Sequence, residues 1–257
     1  MSAVPPTSTG PDRRLPVVRA LRAQTAMELR LLVRSGESLL VTFGIPLGLL
    51  AFFGVVDVVP TGDRDPVDFL VPGVLAISTA ATGLVAVAIQ TAFERKYGVL
   101  KRLGGTPLPR WGFLVAKGGA VGALLSVQTL LVLALALGPL GWRPDGGLGL
   151  ALLLVLLGAL VHTALGLLLA GSLRAEATLA GSNALFLVLL VISGATFEAD
   201  VLPDALAAAG ALLPVGALTE ALRGALDGGA WVASAGVLAG WGVAATAVAA
   251  RTFRWEP

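Results

Sequence analysis

Six stretches of this chain, residues 38–56, 69–93, 118–142, 146–173, 177–197 and 228–250, contain no Asp, Glu, Lys or Arg. Each is 19 to 28 residues long, and a helix needs about 20 apolar residues to cross the hydrocarbon core of a bilayer. Inside that core every backbone N–H and C=O must be satisfied within the segment, so such stretches are constrained to be helices. Composition agrees, because 56% of residues are hydrophobic and 13% are charged, against about 25% charged in a soluble domain. The expected fold is an all-α membrane protein with six spans, at about 39–57, 69–91, 114–137, 148–171, 178–197 and 231–250. A seventh charge-free stretch, 205–219, holds only 15 residues and contains Pro214, which suits a re-entrant or interfacial piece better than a crossing.

Basic residues set the expected orientation. Loops on the cytoplasmic side of a membrane carry the excess of Lys and Arg. With six crossings, fifteen of the eighteen basic residues fall on one side, and only Arg64, Arg143 and Arg223 fall on the other. Both termini are therefore expected in the cytoplasm, and ten of the sixteen acids lie outside, Asp57, Asp63, Asp65 and Asp68 among them. Arg outnumbers Lys fifteen to three, a usage that fits a GC-rich bacterial genome and so a bacterial inner or plasma membrane.

Residues 1–16, with Pro5, Pro6, Pro11 and Pro16 among Ser, Thr and Gly, read as a disordered leader ahead of a single transmembrane domain over 17–257. The first 37 residues are too polar for a cleaved signal peptide. Residues 17–35 place Val18, Leu21, Leu29, Leu32 and Val33 at helical spacing, with Arg19, Arg22, Arg30 and Arg34 on adjoining faces. One reading is a helix lying in the cytoplasmic interface of the bilayer, and the other is a soluble amphipathic helix packed on another subunit. Pro46 is expected to kink the first span. After the fifth span, residues 203–212 and 214–226 form two short helical pieces, each started by a proline. Glu220 and Arg223 can pair on one face of the second piece. Such pieces stay at membrane depth only under a cover of protein or in a water-filled cavity, and a plain amphipathic outer loop is the alternative. The last span ends in RTFRW, an aromatic and basic interfacial anchor.

Enzyme chemistry is sparse in this sequence. The chain has no Cys, which excludes disulfides, thiolate nucleophiles and Cys-based metal sites. Its one histidine, His162, lies mid-span, where an ionisable group is a functional candidate but also readily serves as a hydrogen-bonding group between helices. Ser126, Ser182 and Ser193 lie in or near spans, yet a serine hydrolase needs a base, and no motif ties His162 to any of them. No catalytic residue and no metal site is expected. The P-loop pattern GxxxxGK[ST] is missing, so ATP, if used, is supplied by a partner.

Between the second and third spans runs FERKYGVLKRLGGTPLPRW, residues 93–111. Phe93, Tyr97, Leu100 and Leu103 fall on one face of a helix expected over 93–103, with Arg95, Lys96, Lys101 and Arg102 fanned over the rest. Gly104 and Gly105 end it, as a cap or as a hinge, and Thr106 to Arg110 turn the chain into the third span. A cytoplasmic helix joined directly to two spans is placed to transmit force from outside the membrane.

This series resembles the signature of the type-2 ABC transporter permeases, the membrane subunits of drug, antibiotic and lipid exporters. Glu94, Arg95, Gly98, Leu100, Leu103, Thr106, Pro107, Arg110 and Lys117 stand where that pattern has them, whereas Lys96 replaces a Glu and Val99 a Thr. Family members often carry Asn-Pro at the second outer helix; here Leu213-Pro214 stands there, followed by Glu220 and Arg223. The resemblance implies a half-transporter of two permease chains, identical or different, and two cytoplasmic ABC ATPase subunits in the lipid bilayer. ATP and Mg2+ would sit on the ATPase, with no cofactor on this chain and no nucleic-acid partner. It further implies that Glu94, Arg95, Tyr97, Gly98, Leu100, Leu103, Thr106, Pro107 and Arg110 couple to the ATPase, and that Pro214, Glu220 and Arg223 belong to an outer gate. The cargo would be a lipophilic or amphiphilic compound. Two other readings stand beside it: an intramembrane hydrolase or lipid-modifying enzyme centred on His162, and a membrane scaffold that transports nothing.

Overall fold

The computed structural model describes residues 14–34, 40–56, 66–104, 110–196 and 202–252, and among these every regular element is helical. We label the helices α1 (Arg14–Val33), α2 (Ile45–Val55), α3 (Pro66–Lys96), α4 (Val99–Gly104), α5 (Arg110–Leu137), α6 (Leu148–Ser172), α7 (Ala175–Ile192), α8 (Asp204–Leu212), α9 (Pro214–Leu226) and α10 (Val232–Thr252). Five of them, α3, α5, α6, α7 and α10, are long and apolar enough to cross a membrane; α8 and α9, bent by 86° at their junction, would make a sixth if taken as one span.

The first expected span differs from this count. A π-turn, Leu40–Gly44, leads into α2, which is only 11 residues long. Pro46 lies in the first turn of α2, two residues after the π-turn and within one continuous helical run. The expected kink is thus a junction between a widened turn and a regular helix. At the amino terminus, α1 opens at Arg14, slightly inside the expected leader, whose residues 1–13 lie outside the described part.

Packing centres on α6, which touches α3, α5, α9 and α10. Small residues let α3 and α6 run side by side in the same direction. A methyl group at Gly83 would stand 2.8 Å from the Cβ of His162, and one at Gly158 would stand 2.6 Å from the side chain of Leu218 and 3.2 Å from Thr79. Glycine at such points brings helix backbones into dispersion contact that a larger side chain prevents. A second π-turn, Ala81–Ala86, interrupts α3 beside this seam. Leu75, Leu84, Leu125, Leu218 and Leu222 fill the core around it.

The expected outer helix pair matches α8 and α9 within a residue. Pro214 occupies the first turn of α9, and Val215 through Thr219 are all buried. Gly210 and Gly216 are close-approach points, since a side chain at Gly210 would overlap the Ile192 carbonyl and one at Gly216 the Gly210 carbonyl. The sharp bend is therefore wedged against the end of α7, with α9 buried in the bundle and α8 exposed along most of its length.

Candidate functional site

At the end of the bundle where α1, α3 and α5 meet, a charged cluster is buried. Lys117 on α5 is 2% exposed, and its Nζ lies 2.8 Å from Glu28 Oε2 and 3.1 Å from Glu94 Oε2. Gln90 Nε2 donates to Glu94 Oε1 at 2.7 Å and to Glu28 Oε2 at 3.3 Å, while Gln24 Nε2 donates to Glu28 Oε1 at 2.7 Å. The ammonium also stands 5.2 Å from the Phe113 ring, a favourable cation–π distance. Two carboxylates thus share one ammonium, and the two amides supply the remaining donors. Burying charges is costly unless they are paired and hydrogen-bonded, so this cluster fixes how α1, α3 and α5 sit together.

The next residue of the polar run faces elsewhere. Arg95 is 7% exposed; its Nη1 donates to Gly171 O at 2.9 Å and its Nη2 to Leu173 O. Those carbonyls end α6, where an orphaned acceptor and the negative end of the helix dipole both welcome a cation. Ala92 packs with Ala170 and Ala175 below it, and Phe93 covers them. Lys96 pairs with Glu176 at the start of α7 on the exposed side.

Sequence periodicity predicted one helix over 93–103, and here the structure corrects it. The second span continues beyond its π-turn through Lys96, then breaks at Tyr97-Gly98, and α4 begins at Val99. Gly98 adopts φ +72°, a left-handed conformation that glycine takes without steric penalty. The break puts Tyr97 and Leu100 on different surfaces: Tyr97 is 69% exposed and Leu100 fully buried. Val99, Lys101 and Arg102 are exposed with Tyr97, and Leu103 is partly buried. Thr106 and Pro107 lie outside the described residues, and Arg110 opens α5.

At the opposite end Arg223 is a hub. Its Nη1 donates to Glu220 Oε1 at 2.8 Å, its Nη2 donates to Gly194 O at 2.6 Å, and its guanidinium lies 4.7 Å from the Phe69 ring. Glu220 and Arg223 pair as their spacing predicted. Asp68 accepts from Trp142 Nε1 at 2.6 Å, and a polar cavity of about 230 Å3 opens between Arg143, Asp145, Arg223 and Asp227. His162 is fully buried, with Nδ1 2.8 Å from Gly158 O. Neither an acid nor a serine is among its hydrogen-bond partners, so the geometry gives no support to a hydrolase at this residue. Among the described residues no group of His, Asp or Glu is arranged to hold a metal ion.

Sequence reasoning missed two features. Glu28 and Gln24 turn inward from α1, and Glu28 is the lone acid among the four arginines of residues 17–35, which was the available signal. The second is an apolar cavity of about 400 Å3 between α2, α3 and α7, walled by Pro46 and Leu49, by Val74, Ser78 and Thr82, and by Phe186 and Leu190. Among the described residues Ser78 Oγ has no hydrogen-bond partner.

Helices able to cross a membrane, an apolar cavity among them and a buried charged junction at one end define a membrane transport subunit. The chain belongs to the ABC-2 type transporter family, whose profile matches residues 19–226. It is also 27% identical over 206 residues to the "Putative transport permease YvfS" of Bacillus subtilis (strain 168), an alignment covering 77% of this chain and 81% of the relative.

Proposed function

We propose that the chain is the permease subunit of an ATP-driven exporter, which moves a lipophilic or amphiphilic compound out of a bacterial cell across its inner or plasma membrane. A cytoplasmic ABC ATPase binds ATP and Mg2+ and docks on residues 94–110, α4 among them. A second permease, identical or different, completes the transporter. Both termini lie in the cytoplasm, α1 rests in the interface, and Pro214, Glu220 and Arg223 form part of the outer gate.

The observation that carries this reading is the two-sidedness of the junction between α3 and α4. Inward, it is anchored by Glu94 on Lys117 and by the fully buried Leu100. Outward, it presents Tyr97, Val99, Lys101 and Arg102, a mixed aromatic and basic surface of the kind protein interfaces use. The same helix, α3, forms a wall of the apolar cavity, so a force applied at Tyr97 has a route to it along the helix. The cavity's few hydroxyls, Thr42, Ser78, Thr82 and Thr196, suit a mainly apolar cargo carrying a small number of polar groups.

The test is to purify the permease from its native membrane with its partners, reconstitute it, and measure ATP-dependent movement of lipophilic dyes and drugs. Co-purification of a P-loop ATPase and ATP-dependent transport are expected. A preparation with neither sinks the proposal. His162→Leu discriminates the enzyme reading, because an exporter retains ATP-driven transport in this variant whereas a hydrolase centred on His162 loses all activity.

A further inference from the structure

We infer that Arg95 is a positioning residue that makes α3 and α7, two walls of the apolar cavity, move as one body when α4 is pushed. The inference rests on the coupling reading above and adds to it how motion at the junction reaches the second wall.

The geometry is specific to a guanidinium. Gly171 O and Leu173 O flank the last turn of α6, and one planar fork reaches both. Arg95 is one residue before the end of α3, and Leu173 is two residues before the first residue of α7. Any displacement of the α3 end therefore carries the turn between α6 and α7 with it, unless two charge-assisted hydrogen bonds break. The bond to Gly171 O is buried and the one to Leu173 O part-buried, with Arg95 itself only 7% exposed, so water competes little for them, and such bonds are stronger than neutral ones. Around them, Ala92 against Ala170 and Ala175 leaves no side-chain layer that could slide, and Lys96 adds a second tie to Glu176.

From that tie the motion has a defined destination. Phe186 and Leu190 on α7 line the cavity, eleven and fifteen residues beyond Ala175, or roughly 16 to 22 Å along the helix. Val74, Ser78 and Thr82 line it from α3. The third wall, Pro46 and Leu49, belongs to α2, which packs on α3 and α5. Locked together by Arg95, α3 and α7 change the cavity by moving against α2, and an unlocked α3 would move without α7. Lysine cannot replace this function fully, because its ammonium is a point charge without the fork that spans two carbonyls.

The chain has no native cysteine, so introduced cysteines are its sole thiols in two experiments, the second using an ATPase whose own thiols are blocked before assembly. First, spin labels at Lys101→Cys and Ala177→Cys, both exposed positions, report the α4 to α7 distance in the full chain in lipid nanodiscs. One narrow distribution is expected for Arg95, a broadened or shifted one for Arg95→Ala, and an intermediate one for Arg95→Lys. Second, in the reconstituted complex with its ATPase, cargo moved per ATP hydrolysed falls about tenfold in Arg95→Ala, the scale set by losing hydrogen bonds to a charged group. A short bifunctional thiol reagent joining Lys96→Cys to Glu176→Cys restores at least half of it. An unchanged distance distribution in Arg95→Ala overturns the proposal, as does a normal transport ratio, or a bridge that restores nothing. A wild type with no ATP-driven transport overturns the exporter reading and this proposal together, whereas a transporting wild type matched by Arg95→Ala overturns this proposal alone.

Discussion

The two ends of the helix bundle are fastened by different chemistry. Where α1, α3 and α5 meet, the fastening is side-chain charge: Lys117 between Glu28 and Glu94, and Arg95 on the carbonyls of α6. Where α8 and α9 fold back, backbone does much of the work. Gly146 N donates to Leu226 O at 2.7 Å and Gly147 N to Ala225 O at 3.0 Å, while Gly210 and Gly216 sit directly against carbonyl oxygens. A backbone contact of this kind has one arrangement, because no rotamer can relieve it. A lysine between two carboxylates has several, since the ammonium can favour either partner as the helices shift.

This contrast can be broken experimentally, and the largest effect is expected at the charged end. Lys117→Met leaves two buried carboxylates without their cation, which costs about 3–5 kcal/mol for a broken buried pair. Purified protein should show a large loss in thermal stability, and the triple variant with Glu28→Gln and Glu94→Gln should recover most of it. Recovery fails if the cluster is only incidental to packing. Gly146→Ala comes next, at about 1–3 kcal/mol, because the added methyl meets the backbone of Ala225 and Leu226 rather than a flexible side chain. Its effect should persist in high salt, which distinguishes it from an electrostatic one. Arg223→Ala should be milder, near 1–2 kcal/mol, since Glu220 is 42% exposed and retains water. The smallest change is expected for Lys96→Ala in an otherwise intact chain: its exposed pair with Glu176 should leave the melting temperature unmoved, because exposed ion pairs add little.

Much of this fold is legible from charge alone. The charge-free stretches locate α3, α5, α6, α7 and α10, because lipid excludes charge more strictly than any packing rule. Pro214 marks the break before α9 and the spacing of Glu220 and Arg223 their pairing, both local effects. What stayed hidden is long-range. Residues 90–96, QTAFERK, look like the end of a span, yet α3 continues because Glu28, Lys117, Gly171 and Leu173 satisfy its polar side chains. Those partners are remote in sequence, so no window around Glu94 contains them. Gly98 was legible as a matching motif position but not as the turn that splits the predicted helix. The apolar cavity depends on how α2, α3 and α7 diverge, and the small and polar residues of the second span, Ser78, Ala81 and Thr82 among them, do not by themselves mark it.

The central claim is that the junction of α3 and α4 is where a separate ATPase drives the cavity. It is tested most directly by ATP-dependent uptake of a lipophilic dye into inside-out vesicles containing the permease with its co-purifying ATPase, comparing wild type with Glu94→Arg at equal membrane content. The account predicts robust uptake in the wild type and none above the ATP-free background in the variant, and equal uptake in both would contradict it.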